Sequence, residues 1–378
     1  MKKLKFRNCE LVRGGGASRL TTAVGPWGTE SFTYDAVGNR LNDNVTSGST
    51  TTTRLASYPA ASNRITSLNQ NAATFRTYAT DTGGNITTDT RPGETFVFTY
   101  NKRNRLSSLT RNAVAYATYG YNALEEMTTR STSAVGGPVG QVAYIYDLDG
   151  HLIAEATAST GVTTRDYIWL AANDNAPIDM PLAVAEAASL YMVHTDHLGR
   201  PIRMTDATKS TVFQALYKPY GEVYSTSGTK AQNLRFPGQY FQIETGFAYN
   251  WHRHYDPITG RYTQPDPLRF VDGPSIYNYA GQTPLIKTDA PGLSAASIGA
   301  ALGIKLPNTG NPPNSPKPGS GGIQKCDSTC TDEWDFAYKV CIDQLSGGTQ
   351  NYNMGGHTTV QGCAKGLVSQ RCGGNALE

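Results

Sequence analysis

Short stretches of alternating apolar and polar residues run along most of the chain before residue 170. In residues 95–100 (Thr-Phe-Val-Phe-Thr-Tyr), for example, aromatic side chains occupy every second position. A period of two in β-branched and aromatic residues is typical of a half-buried β-strand. Asp, Asn and Gly follow these stretches, and they suit tight turns because they tolerate a positive φ. The pattern therefore predicts a succession of β-hairpins.

The predicted hairpins follow a sequence unit that recurs every ~20 residues. The clearest copy is residues 32–41, where Tyr34-Asp35 is followed by Gly38-Asn39-Arg40-Leu41. More degenerate copies begin at Tyr58, Thr80, Tyr100, Tyr121 and Tyr146. A lone hairpin is marginal in water, so successive hairpins must pair edge to edge. We predict a long curved sheet; a plain antiparallel sheet with Tyr in ordinary strand positions is the alternative.

This unit resembles the YD repeat of the Rhs/YD-repeat family, which includes bacterial Rhs proteins, the C components of insecticidal ABC toxins and the teneurins. Family members wind such hairpins into a spiralling β-sheet that closes a hollow shell. The resemblance implies a mainly β fold in which the hairpins form a partial shell. A flexible linker and a small Cys-rich α-helical tail are expected to follow it.

Four further motifs, in family order, resemble the Rhs repeat-associated core domain. They are residues 194–201 (His-Thr-Asp-His-Leu-Gly-Arg-Pro), 217–222, 236–246 and 249–257. We therefore expect five regions: a lead-in over 1–30, the hairpin array over 31–190, the core over 191–293, a Pro/Gly-rich linker over 294–324 and a Cys-rich module over 325–378.

In the family, the core ends in an aspartic-protease-like site that cuts the chain just after a D-P-x-G-L motif. The resemblance places the Arg and the two Asp of that site at Arg253, Asp266 and Asp289. It places the scissile bond between Leu293 and Ser294. The sequence departs from the motif, because Ala290 stands where members usually have Pro, so slow or absent cleavage is an alternative.

Two neighbouring carboxyl groups are suited to amide hydrolysis because each hinders the other's ionisation. The charged one takes a proton from water while the protonated one polarises the carbonyl. Such a pair titrates jointly, so the sequence assigns the proton to neither Asp. Arg253 is expected to hold a carboxylate by a bidentate contact or to offset developing negative charge. Asp256 and Asp266 precede Pro, which commonly starts a turn; we interpret Asp256 as a turn residue.

The histidines of the core invite a metal-site interpretation, which we do not favour. We expect the imidazoles of His194 and His197 to bond backbone carbonyls in a turn. His252 and His254 are expected on one face of a strand among aromatic neighbours. We predict no metal and no other cofactor.

The C-terminal module is predicted from its cysteines. Five of the six cysteines lie there, at Cys326, Cys330, Cys341, Cys363 and Cys372. So small a unit needs cross-links, and we predict two disulfides of undetermined pairing and one free thiol. A zinc site built from Cys326, Cys330, His357 and Cys363 is the alternative. No motif reveals what the tail does.

Composition excludes several classes of function. A net charge of +3 is too small to indicate a nucleic-acid partner. No apolar run approaches the ~18 residues of a membrane span. The basic start lacks an apolar segment, so a cleavable signal peptide is not expected.

The resemblance implies a role in interbacterial competition. The protein would be made in the bacterial cytoplasm and exported by a type VI or similar contact-dependent system. The implied partners are an immunity protein for the tail and either a secretion-apparatus spike protein or a further Rhs shell chain. The alternatives are a non-catalytic surface module that binds carbohydrate or protein, and an inactive displaced gene fragment.

Overall fold

The computed structural model describes residues 10–14, 17–133, 140–170, 180–293 and 296–297. Nearly all of the predicted linker and the whole Cys-rich module lie outside these ranges. The predictions for Ser294, the five tail cysteines and His357 therefore fall outside the described residues. Within the described ranges no helix has the length and apolar character that a membrane span requires.

Twenty strands form one large antiparallel sheet. They are β1 (Glu10–Gly14), β2 (Ala17–Gly25), β3 (Gly28–Tyr34), β4 (Arg40–Ser47), β5 (Thr50–Ser57), β6 (Ser67–Gln70), β7 (Ala73–Thr80), β8 (Ile86–Arg91), β9 (Glu94–Tyr100), β10 (Leu106–Arg111), β11 (Val114–Tyr121), β12 (Met127–Thr132), β13 (Gly140–Tyr146), β14 (Leu152–Thr157), β15 (Thr163–Leu170), β16 (Met180–Glu186), β17 (Ser189–Thr195), β18 (Pro201–Thr205), β19 (Thr211–Tyr217) and β20 (Val223–Gly228). Each strand pairs with its neighbours in sequence. The predicted mainly β fold of antiparallel hairpins is confirmed.

A smaller four-stranded sheet follows the large one. It consists of β21 (Tyr240–Gln242), β22 (Phe247–Asn250), β23 (Arg253–Asp256) and β24 (Arg261–Tyr262). A short 3-10 helix (Ala280–Gln282) then leads into β25 (Lys287–Thr288), which pairs with β26 (Ala296–Ser297). The large sheet runs without a break across residue 190, and its strands β17 to β20 carry the first core motifs.

The repeat turn explains the Asp and Gly of each unit. In the clearest copy, the Asn39 amide donates to Asp35 Oδ1 at 2.8 Å and the Gly38 amide donates to the Asp35 carbonyl at 3.1 Å. Gly38 has a φ of 93°, which a side chain would make costly. The same two hydrogen bonds, from the amides three and four residues after the Asp to its carbonyl and Oδ1, recur in the turns that begin at Asp81, Asp147 and Asp196.

The repeat tyrosines connect successive hairpins. Their hydroxyls donate to backbone carbonyls of the preceding repeat at 2.7–3.1 Å: Tyr58 to Arg40, Tyr100 to Ile86, Tyr121 to Leu106 and Tyr146 to Met127. Trp169 takes this role further along, with Nε1 donating to the Leu152 carbonyl at 2.9 Å. A Tyr before the turn therefore buries its ring and satisfies its hydroxyl on the neighbouring hairpin.

The large sheet curves so that the segment before β20 contacts strands β3 and β5. Arg54 on β5 makes two hydrogen bonds, of 2.7 and 2.9 Å, to the carboxylate of Glu222 just before β20. Nearby, the hydroxyls of Tyr34 and Tyr220 lie 2.7 Å apart. Side chains rather than strand pairing make this junction, because β20 pairs with β19 alone among the described strands.

The smaller sheet packs on the apolar face of the large one, with Phe247 and Tyr249 joining its aromatic core. A buried ion pair of 2.8 Å between Arg76 on β7 and Asp256 on β23 connects the two sheets. Arg105 adds a hydrogen bond of 2.9 Å to the His252 carbonyl. The repeats therefore fix the position of the segment that carries the candidate site.

Candidate functional site

The structure brings the three predicted catalytic side chains together. Arg253 begins β23, Asp266 lies in the loop after β24, and Asp289 directly follows β25. Arg253 Nη2 lies 3.0 Å from Asp266 Oδ2 and 3.0 Å from Asp289 Oδ2. The two carboxylates are thus within twice that distance of each other, and all three side chains are buried. A single guanidinium nitrogen contacts both acids, which differs from the bidentate contact with one carboxylate that was one of the two roles expected for Arg253.

Local backbone structure sets these positions. The tight connection between β22 and β23 pairs Asn250 with Arg253 and directs the arginine inwards. The Asp266 amide donates to the Ile276 carbonyl at 2.8 Å, and the Leu268 amide donates to Asp266 Oδ1 at 2.7 Å. Asp266 therefore starts a turn, as its Asp-Pro sequence indicates, and also faces the arginine.

Two further residues of the site were not anticipated from the sequence. The Tyr262 hydroxyl donates to Asp289 Oδ2 at 2.7 Å, and its ring lies 3.6 Å from the Arg253 guanidinium carbon. Asn250 Nδ2 donates to the Tyr262 hydroxyl at 2.7 Å and to the Asp289 carbonyl at 2.9 Å. Both residues lie in the strands beside Arg253, but their contacts join positions distant in sequence.

The segment that precedes the predicted scissile bond is held on several sides. The Leu293 amide donates to Asp289 Oδ1 at 2.8 Å, and Arg253 Nε donates to the Gly292 carbonyl at 2.6 Å. His252 Nδ1 lies 2.9 Å from the Pro291 carbonyl. Arg253 and Asp289 therefore bind the carbonyl oxygen and the amide of the Gly292–Leu293 peptide, which is the peptide bond before the predicted scissile bond.

Glycine is required at position 292. Its φ of 66° lies in the left-handed region. A Cβ added there would lie 2.2 Å from the Asn250 carbonyl oxygen. Backbone approaches backbone at this point, so no side-chain adjustment can make room.

Burial raises the pKa values of the acidic groups Asp266 and Tyr262 and lowers those of the histidines near the site. Burial raises the pKa of Asp266 to about 6, although the Arg253 charge opposes that shift. The pKa of Tyr262 is well above its ordinary value because of burial and the Asp289 charge, so this phenol stays a donor. Burial lowers the pKa of both His252 and His254 to about 4, which leaves them neutral at physiological pH.

The other residues singled out in the sequence make turn contacts, ion pairs or hydrogen bonds within the fold. Asp256 Oδ1 accepts the Ile258 amide at 3.0 Å, the expected turn contact, in addition to its ion pair with Arg76. His197 Nε2 lies 2.8 Å from the Leu285 carbonyl, as expected. His194 instead contacts the Thr205 hydroxyl at 3.0 Å. His252 lies in the turn before β23, not on a strand with His254, because the chain reverses at Trp251.

Two groups elsewhere could hold a metal ion by proximity. Each brings three ligating side chains within 4.8 Å: Asp147, Asp149 and His151 in one, and Glu30, Asp43 and Glu222 in the other. His151 already bonds Asp147 at 2.8 Å, and Glu222 already pairs with two cations.

Comparison with known proteins identifies relatives for most of the described chain. A family model described as Teneurin YD-shell matches residues 28–273. The toxin protein Tse5 of Pseudomonas aeruginosa is 38% identical over 106 residues, which are 28% of this chain and 8% of Tse5. The tRNA nuclease WapA of Bacillus subtilis is 27% identical over 268 residues, which are 69% of this chain and 11% of WapA.

A solved structure shares the fold. The crystal structure of TcdB2-TccC3-TEV matches with a TM-score of 0.50 and 15% sequence identity, covering 73% of this chain and 16% of that one. This chain therefore spans less than a fifth of the length of each of these three relatives.

Proposed function

The chain belongs to the Teneurin YD-shell family, and from that membership we propose that it is an Rhs-type shell tip that cuts its own backbone after Leu293. The cut would release a short C-terminal effector. One observation carries this proposal: a single arginine nitrogen lies 3.0 Å from each of two buried carboxylates, beside the peptide that leads to the predicted bond.

The chemistry assigns distinct tasks to the two acids. Asp266, with its raised pKa, donates a proton, and Asp289 orients the backbone and accepts the proton that water loses. The water oxygen bonds to the Leu293 carbonyl carbon, the bond to the Ser294 nitrogen breaks, and that nitrogen takes the proton from Asp266. Arg253 offsets the negative charge that develops on the carbonyl oxygen.

The bond is delivered by the fold itself. Arg253 Nε and Asp289 Oδ1 hold the preceding peptide at 2.6 and 2.8 Å, so the bond does not have to diffuse to the two acids. Effective molarities reach about 10⁵ M or more for groups pre-positioned in this way. This advantage would support cleavage even by a modest acid pair.

The names of the relatives support an effector role for the tail. Tse5 is named a toxin and WapA a tRNA nuclease, and each shares with this chain only a small part of its own length. We propose that the shared part is the carrier and that the tail acts on a competing bacterium after contact-dependent export, with an immunity protein as its cognate partner.

A further shell chain is the second proposed partner. Strand β20 pairs with β19 alone among the described strands, and most of its side chains are exposed. An exposed strand edge presents unpaired backbone groups that recruit another strand. We propose that a companion Rhs shell segment completes the wall at this edge.

Intact mass spectrometry of the purified chain tests the cleavage proposal. We expect two products that separate between Leu293 and Ser294, and one full-length species in Asp266→Asn and Asp289→Asn. Asp206→Asn, which alters the aspartate turn between β18 and β19, should cleave like the parent. A single full-length species in the parent chain would refute the proposal and favour a non-catalytic binding module.

Expression of residues 294–378 tests the effector proposal separately. We expect growth inhibition when this segment is directed to the cytosol or to the periplasm of a sensitive bacterium. Normal growth in both compartments would contradict an antibacterial role for the tail.

A further inference from the structure

The segment Asp289–Leu293 has the same hydrogen bonds as the turns of the YD repeats, although it lies outside the hairpin array. In the turn that begins at Asp35, the amides three and four residues later donate to the aspartate carbonyl at 3.1 Å and to Oδ1 at 2.8 Å. At Asp289 the corresponding bonds are 3.2 Å from Gly292 and 2.8 Å from Leu293. The residue at the third position has a positive φ in both turns.

The two kinds of turn differ in what holds the second carboxylate oxygen. In four repeat turns the side chain four residues after the Asp contacts Oδ2 at 2.8–3.0 Å: Asn39 with Asp35, Asn85 with Asp81, His151 with Asp147 and Arg200 with Asp196. Each of these aspartates is therefore satisfied within its own turn. At the candidate site the same position is Leu293, which has no polar atom to offer.

The second oxygen of Asp289 is held from outside its turn instead. Arg253 Nη2 lies 3.0 Å from Oδ2, and the Tyr262 hydroxyl donates to it at 2.7 Å. Both partners belong to the smaller sheet, and Arg253 Nη2 also lies 3.0 Å from Asp266 Oδ2. In a turn with a polar side chain at the fourth position, that side chain would contact Oδ2 in place of the arginine.

We propose that Leu293 is a positioning residue: by withholding a partner from Asp289 Oδ2, it directs that oxygen to Arg253, Tyr262 and the second acid. This inference rests on the proposed autoproteolysis and specifies why an apolar residue precedes the cut. The repeat turn is thereby converted from a structural element into half of a catalytic pair.

The test replaces Leu293 in the full-length chain and follows cleavage by intact mass. Leu293→Asn keeps the number and branching of the side-chain heavy atoms of Leu but supplies the amide seen in the turns of Asp35 and Asp81. We expect it to slow cleavage at least ~10-fold, the scale of one lost hydrogen bond to a charged group. Leu293→Ala and Leu293→Met supply no such partner and should slow cleavage less than Leu293→Asn does.

The outcomes distinguish failure of the positioning role of Leu293 from failure of the proposed self-cleavage. Equal loss in the Asn and Ala variants would show that filling a pocket is what matters, and an unchanged rate in the Asn variant would overturn the inference directly. If the parent chain itself does not cleave, the proposed function fails. A crystal structure of Leu293→Asn then decides: the inference requires the introduced amide within hydrogen-bond distance of Asp289 Oδ2 and the Tyr262 contact broken.

Discussion

The raised pKa of Asp266 predicts a steep pH dependence of self-cleavage. The proposed mechanism needs this carboxyl protonated, and burial places its pKa at about 6. The protonated fraction would then be about 90% at pH 5, about 10% at pH 7 and about 1% at pH 8. The first-order rate of cleavage should accordingly fall roughly 10-fold between pH 7 and pH 8.

The neighbouring imidazoles do not confuse this prediction. His252 and His254, the histidines closest to Arg253 in sequence, have pKa values lowered to about 4 by burial and stay neutral across this range. The assay starts from chain purified at or above pH 8, where cleavage is slowest, and follows intact mass over time after dilution into buffers from pH 5 to pH 8 at constant ionic strength. Asp206→Asn serves as the matched control and should reproduce the parent profile.

Two results would refute this reasoning. A rate that stays flat from pH 5 to pH 8 would mean that Asp266 does not supply the proton. A rate that rises with pH would mean that Asp266 must be ionised, which would exchange the roles of the two acids. In either case the close approach of the carboxylates would remain, but the division of labour between them would be wrong.

Two further predictions concern the supports of the site. Gly292→Ala should abolish cleavage, because its Cβ would lie 2.2 Å from the Asn250 carbonyl, while Gly48→Ala, with a φ of 59° and open space around it, should cleave normally; equal rates by mass spectrometry would contradict the close-approach argument. Arg76→Met removes the cation that pairs with the buried Asp256 and Asp89, and should lower the free energy of unfolding in urea by ~3–5 kcal/mol. Arg103→Met, at a mostly exposed arginine paired with Glu125, should cost about 1 kcal/mol or less; similar losses would contradict a large contribution from the Arg76 ion pairs.

The hairpin array was accessible from sequence because its signals are local. Alternation defines the strands, and Asp with a Gly three residues later defines the turn, so Tyr34 to Leu41 predicts its own conformation. The convergence of Arg253, Asp266 and Asp289 was reached by resemblance, since no local rule relates positions so far apart. Tyr262 was missed for the same reason: a Tyr in a strand looks like core until its hydroxyl is seen 2.7 Å from a carboxylate.

The difficulty with Asp266 and Asp289 has a physical origin. A turn-forming aspartate uses one carboxylate oxygen on its own backbone, and both residues do so, at 2.7 Å to Leu268 and 2.8 Å to Leu293. Interpreting Asp266 or Asp289 as a turn residue is therefore correct for the carboxylate oxygen that accepts the backbone amide. The second oxygen decides whether the residue is available for chemistry, and its partner depends on the side chain four residues later and on what the smaller sheet places opposite. A turn contact at one carboxylate oxygen is thus compatible with contacts from the smaller sheet at the other, and the apolar residue four positions later is the sequence difference between Asp289 and Asp35.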